Sequence, residues 1–244
     1  IDRLPDVLGI PWVKTRRPVL SPGLRPKIER IARLIGKGEK VVVTGEAGIG
    51  KTTLLYLALL RLAEEGYTLV RGNPDDVERR VLKGEKLVYV AVNAAEEAEK
   101  LAGKRMPIVG EARTSEWGDV PSRLRRKWVE VELTREDHGI DALRRILLSL
   151  LKEHGVEYTE EGVKEAVKAS RGVPQYLDTL VLWLKEKEKI LTAETAREAP
   201  RGALEIIAGL IEDLKDDPLA VAALYCVAKS RAQRIHEYQL PLLK

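Results

Sequence analysis

The stretch that most constrains this chain is Gly45-Glu46-Ala47-Gly48-Ile49-Gly50-Lys51-Thr52-Thr53. A glycine, four residues, then Gly-Lys-Thr is the spacing of a phosphate-binding loop, which works only between a buried strand and a helix. Both flanks fit. Lys40-Val41-Val42-Val43-Thr44 is a short β-branched run bounded by charge, as in a central parallel strand covered on both faces. Thr52 to Glu65 is a helix-length segment dense in leucine and alanine that stops at Gly66, a residue suited to a left-handed helix end. Gly45 and Gly50 leave room for backbone N–H groups to turn toward phosphate oxygens, and the helix N-terminus adds the positive end of its dipole. In such a loop Lys51 reaches the β- and γ-phosphates and the Thr52 hydroxyl ligates Mg²⁺.

Downstream, apolar runs alternate with helical segments. Strands are expected at Tyr67 to Arg71, Leu87 to Val92, Met106 to Gly110 and Trp128 to Leu133, with helices at Val77 to Gly84 and Glu96 to Leu101 between them. With Lys40 to Thr44 this makes a five-stranded parallel sheet joined by right-handed crossovers. From Asp137 onward the pattern is helical. Leu143, Ile146, Leu147, Leu150 and Leu151 share one face, Thr159 caps a helix running to Gly172, and Pro174 opens another with Leu177, Leu180, Val181 and Leu184 as its stripe. Further helices are expected at Ala203 to Leu214 and from Pro218 to about Lys229. The division is an irregular, proline-rich arm over 1–19, an α/β nucleotide-binding domain over 20–135, a helical lid over 136–200 and C-terminal helices over 201–244.

Composition narrows the classes. Hydrophobic residues at 44% and charged residues at 33% exclude general disorder, and no apolar run approaches the ~20 residues of a membrane span. A soluble protein is expected. One cysteine, Cys226, forms no internal disulfide, and three scattered histidines offer no metal-ligand spacing, so a reducing, cytoplasmic setting is expected. A chain beginning at Ile1 is expected to have been trimmed or processed. Two asparagines, three glutamines and one methionine beside so many charges point to a thermophilic source. A net charge of +4 permits an anionic partner without implying one.

Taken together, the loop, the sheet and the motif Arg171-Gly172-Val173-Pro174-Gln175 in the helical part resemble the AAA+ and STAND ATPases, and among them the archaeal ATPases that join such a module to a winged helix. The resemblance covers about residues 20 to 200. It implies a bound ATP or ADP with Mg²⁺, the loop residues 45–53 as the cradle, and Gly172 and Pro174 of the lid over the base. It places Arg113, at the end of the fourth strand, as a sensor of the γ-phosphate. The basic run Arg123, Arg125, Arg126 and Lys127 falls where the family offers an arginine finger to a neighbouring subunit, which implies a homo-oligomer. The tail from Leu219 looks like the start of a winged helix, the route to a DNA or protein partner.

The departure from the family is Asn93. The third strand should end in an aspartate that holds the Mg²⁺ shell, with a second acid to orient water. Here it ends in Asn93-Ala94-Ala95, and the nearest carboxylates are Glu96 and Glu97. The expected catalytic set is therefore Lys51, Arg113, Glu96 and Glu97, with Thr52 and Asn93 toward the metal. An amide brings no negative charge, so ATP is expected to bind and to be hydrolysed slowly or not at all. The alternatives are a non-hydrolysing nucleotide-dependent switch or scaffold and, further off, a small-molecule phosphotransferase.

Overall fold

The computed structural model describes residues 17–199 together with Leu8 and Val13. The rest of the arm expected over 1–19 and the helices expected over 201–244 lie outside the described residues. Five strands, β1 (Lys40–Gly45), β2 (Thr68–Val70), β3 (Leu87–Ala91), β4 (Ile108–Arg113) and β5 (Val129–Glu132), form one sheet in the order β2-β3-β4-β1-β5. Every pairing is parallel. Strands β3, β4 and β1 are therefore interior, and β3 and β1 are accordingly nearly continuous apolar runs.

Alternation assigns each strand residue to a face. Val41 and Val43 of β1, Val88 and Val90 of β3, and Val109 of β4 pack on one side with helices α1 (Leu24–Gly36) and α2 (Lys51–Glu64). Leu8 reaches the same cluster from the arm. Val42, Leu87, Tyr89, Ala91 and Ile108 pack on the other side with α3 (Pro74–Leu82), α4 (Ala94–Leu101) and α5 (Thr114–Asp119). The result is a three-layer sandwich. Leu54, Leu55, Leu59 and Leu62 of α2 are fully buried, each contributing about 1.5–3 kcal/mol by leaving water.

A short α6 (Ser122–Arg125) occupies the basic run before β5, and a 3-10 turn (Arg135–Asp137) leads to the helical part. There α7 (Ile140–His154), α8 (Glu160–Ala169), α9 (Pro174–Glu186) and α10 (Ala193–Glu198) bury Leu143, Leu147, Leu150, Val163, Leu177 and Leu180 in a separate core. Thr159 caps α8, its hydroxyl accepting from the Gly162 N–H at 3.1 Å. Most boundaries shift by one to three residues from the sequence expectation, and two of the shifts bear on the site. The α8 helix stops at Ala169, three residues before Gly172, because Arg171 and Gly172 both take positive φ (47° and 85°). The fourth strand continues past Gly110 to Arg113, because β1 supplies ladder partners out to Gly45 opposite Arg113. Among the described residues no helix is long and apolar enough to cross a membrane.

Candidate functional site

The loop between β1 and α2 turns through three glycines at positive φ, Gly45, Gly48 and Gly50 (156°, 73° and 100°), a region that side-chain-bearing residues rarely enter. Ile49 is the anchor, its side chain fully buried. Gly50 stands at the N-cap of α2 without a side-chain cap bond, so the first N–H groups of a 14-residue helix are presented to an anion. Lys51 opens that helix and donates from Nζ to the Glu46 carbonyl at 2.7 Å. Burial holds its pKa below the ordinary lysine value, with Glu111 and Glu116 pulling up and Arg113 pushing down. The lysine therefore lies within the electrostatic reach of the β4 end. Thr53 follows in the same first turn.

Beside it, the Thr52 hydroxyl donates to the Glu111 carboxylate, with both oxygens at 2.9 Å. Strand parity explains this contact. Val43 of β1 is in register with Glu111, and Val43 and Val109 both face α2, so Glu111 points to the helix that carries Thr52. Burial raises the Glu111 pKa, while the Thr52 hydrogen bond and the Lys51 charge oppose the rise. Two residues on, Arg113 is exposed, with Nε 3.7 Å from Glu116 and its backbone N–H donating to the same carboxylate at 3.2 Å.

The end of β3 is built differently. Asn93 is the N-cap of α4, its amide oxygen accepting from the N–H groups of Ala95 (3.2 Å) and Glu96 (3.4 Å). Extending the β3–β4 register beyond Ala91 and Gly110 sets Asn93 beside Ala112, on the face that packs against α4. Glu96 is exposed. Glu97 accepts from the Tyr89 hydroxyl at 2.9 Å, and burial together with that bond pushes the Tyr89 pKa up to about 12. Asn93 and Glu96 line an open groove of about 440 Å³ with Glu116 and Arg123. Of the basic run, Arg125 donates from Nε to the Val120 carbonyl at 3.0 Å, and Arg126 is exposed.

The outer side of the loop is covered by the segment leading to the helical part and by α9. Arg135 pairs with the Glu46 carboxylate (2.6 Å). The His138 Nε2 lies 2.7 Å from the Ile49 carbonyl, and the Gln175 backbone N–H donates to the Gly48 carbonyl at 3.3 Å. A Cβ on Gly48 would collide with the Gln175 side chain, and one on Gly172 would meet Arg135 at 2.7 Å. Gly172 thus lets the turn before α9 close onto Arg135, and Pro174 starts the helix that delivers Gln175. Asp137, between these residues, accepts from Thr134 N–H (2.7 Å) and pairs with Lys27 of α1 (3.2 Å). Sequence reasoning missed Glu111 as a partner of Thr52, and it missed Arg135 and His138 altogether. The parity of β4 was the one available signal for Glu111.

No protein-family model matches the chain, and no curated protein matches it. Solved structures do. Hsp104 of S. cerevisiae, in its extended casein complex, superposes with a TM-score of 0.56 at 13% identity over 91% of this chain. The chain spans 51% of that Hsp104 chain. The fold is that of the AAA+ P-loop NTPases. Domain III of the Thermotoga maritima replication initiation protein DnaA matches at 0.49 and 14% identity over 73% of this chain and 91% of its own. The Thermotoga maritima RuvB Holliday junction branch migration motor matches at 0.46 and 16% identity over 72% of this chain and 66% of its own. In this sheet the loop after β1 and the ends of β3 and β4 lie at the carboxyl ends of the strands, where ligands of open α/β sheets bind.

Proposed function

We propose that the chain is an ATP-binding module in which the phosphate loop, residues 45–53, holds ATP or ADP with Mg²⁺ and transmits nucleotide state to a helical lid. The observation that carries this reading is the Thr52–Glu111 contact beside Lys51. A hydroxyl that gives its proton to a carboxylate turns its lone pairs toward a cation, and hydroxyl and carboxylate oxygens are the hard ligands that Mg²⁺ takes alongside substrate phosphates. When bound there, Mg²⁺ supplies neutralisation of the phosphate charge. Thr52 and Glu111 would hold it, with Asn93 outside the set because its oxygen caps α4. Lys51 is the point charge for the terminal phosphates, and Arg113 stands close enough to influence the Lys51 charge.

Hydrolysis is slow in this reading, because the β3 end carries no acid to orient water and Glu97 is tied to Tyr89. The same feature supports the second reading, a switch that binds nucleotide and barely turns it over. The units proposed to move are residues 20–135 and 136–200, about the segment that holds Arg135 and His138. The loop's contacts support this, since the Gly48 carbonyl accepts from Gln175 in the second unit and Glu46 pairs with Arg135 at the junction.

The test is calorimetry with ADP and ATP on the wild type and on Lys51→Ala. Removing a point charge from between phosphates should weaken binding roughly a hundredfold or more with little change in melting temperature, because Lys51 sits at a loop mouth. Equal affinities would overturn the reading. Phosphate release near the ~1–10³ s⁻¹ of ordinary enzymes would overturn the slow-hydrolysis part.

A further inference from the structure

His138 is 92% buried, with an exposure of 8%, and among the described residues its ring makes one hydrogen bond, to the Ile49 carbonyl. A carbonyl only accepts, so Nε2 carries the proton and Nδ1 is the lone-pair nitrogen. Among the described residues Nδ1 has no partner. Leaving a buried acceptor unpaired costs about 1–3 kcal/mol, so the open Nδ1 offsets most of what the ring gains by satisfying the Ile49 carbonyl. What the ring does is fix one peptide group of the phosphate loop.

A trans peptide is planar, so its C=O and the following N–H point in opposite directions. Holding the Ile49 carbonyl against His138 sets the Gly50 N–H on the side away from that residue. Gly50, at φ 100°, has a backbone free enough for this peptide to turn over if nothing held it. The neighbouring peptide is held in the same way, by the Gln175 N–H on the Gly48 carbonyl. The ring also packs against Gly50 itself, 3.7 Å from where a Cβ would stand.

We propose that His138 is a positioning residue for phosphate binding: its Nε2–H, given to the Ile49 carbonyl, keeps the Gly50 amide aimed at a bound phosphate. The inference rests on the nucleotide reading above and adds to it a residue far from the loop in sequence. It makes phosphate affinity depend on the segment between sheet and lid, so a lid movement that drew His138 away would release the loop.

Four proteins test it: wild type, His138→Leu, His138→Gln and His138→Asn, each titrated with ADP by calorimetry. A glutamine amide nitrogen reaches the place of Nε2, and an asparagine amide falls short of it. His138→Leu and His138→Asn should bind about tenfold more weakly, and His138→Gln should recover most of the loss. A role in packing alone would leave affinity unchanged in the folded fraction, or would make all three variants equally weak, and either result overturns the proposal. In the wild type, the Gly50 amide resonance should shift when ADP is added, a readout that needs no variant to fold, and an unmoved resonance also overturns it. If the wild type itself binds no nucleotide, the reading of the loop fails and this inference with it, whereas normal wild-type binding with an unaffected Leu variant removes only the role of His138.

Discussion

The ends of β3 and β4 lie side by side in the sheet, each has a polar residue near its last hydrogen-bonded pair, and they put those residues to different uses. Asn93 follows β3, faces the layer of α4, and closes that helix with its side-chain oxygen. Glu111 lies within β4, faces the layer of α2, and reaches the Thr52 hydroxyl in the first turn of that helix. One side chain serves a local helix start and the other is buried against the loop, with its pKa raised by that burial. The difference teaches that position along a strand does not decide which residue meets the loop. Parity does, and the residue in register with Val43 has it.

The comparison would break most sharply on Mg²⁺. Glu111→Gln keeps an oxygen for the Thr52 hydroxyl and removes the charge, so ATP affinity measured with Mg²⁺ should fall at least tenfold, roughly 1.4 kcal/mol, while affinity in excess chelator stays the same. Asn93→Ala should change neither value. If instead Asn93→Ala abolished the Mg²⁺ dependence and Glu111→Gln left it intact, the two strand ends would have to exchange roles.

A smaller effect sharpens the other side. Removing a cap oxygen costs about 1 kcal/mol, so Asn93→Ala should lower the melting temperature by a few degrees, while Asn93→Asp, an equally good cap, should not. Asn93→Asp should also leave ATP turnover slow, because the new carboxylate takes the same two N–H bonds. A turnover gain in that variant, read by phosphate release, would show that the side chain leaves its cap for the loop.

How much of this was legible beforehand follows the range of the interactions. The loop and its flanks are a local pattern, and so are the amphipathic α7 and α9 and the Thr159 cap; each declares itself within one window of sequence. Glu111 was hidden because Gly110-Glu111-Ala112-Arg113 reads as the start of a loop. Its strand conformation comes from ladder bonds to β1, more than sixty residues away in sequence, a long-range pairing that overrides local propensity. Arg135 and His138 carried no spacing signal at all. Each is an isolated residue whose partner in the loop is 89 positions earlier, and only the turn of the chain from the sheet to the helical part brings them together.

The smallest expected effect is also the one that isolates the burial of Glu111 from its chemistry. Its pKa in the folded protein lies above the ordinary 4.5 of a glutamate, with burial as the largest cause. In the unfolded chain the group ionises near 4.5. Between that value and the raised one the native state holds the proton more tightly, so stability falls as pH rises through this window and stays lowered above it. Below pH 4 both states are protonated and the carboxyl costs nothing. Glu111→Gln lacks the ionisation but preserves the shape, so its melting temperature should match the wild type below pH 4, exceed it as pH rises past 4.5, and keep a constant advantage toward neutrality. For a chain of this size 1 kcal/mol corresponds to about 2–4 °C, which a thermal melt resolves. An advantage that was the same at every pH would mean that glutamine packs better than the acid. A deficit at neutral pH would mean that the Glu111 charge stabilises the empty loop through Lys51 and Thr52 by more than its burial costs, and the strand end would then be a structural ion pair rather than a carboxylate held ready for a cation.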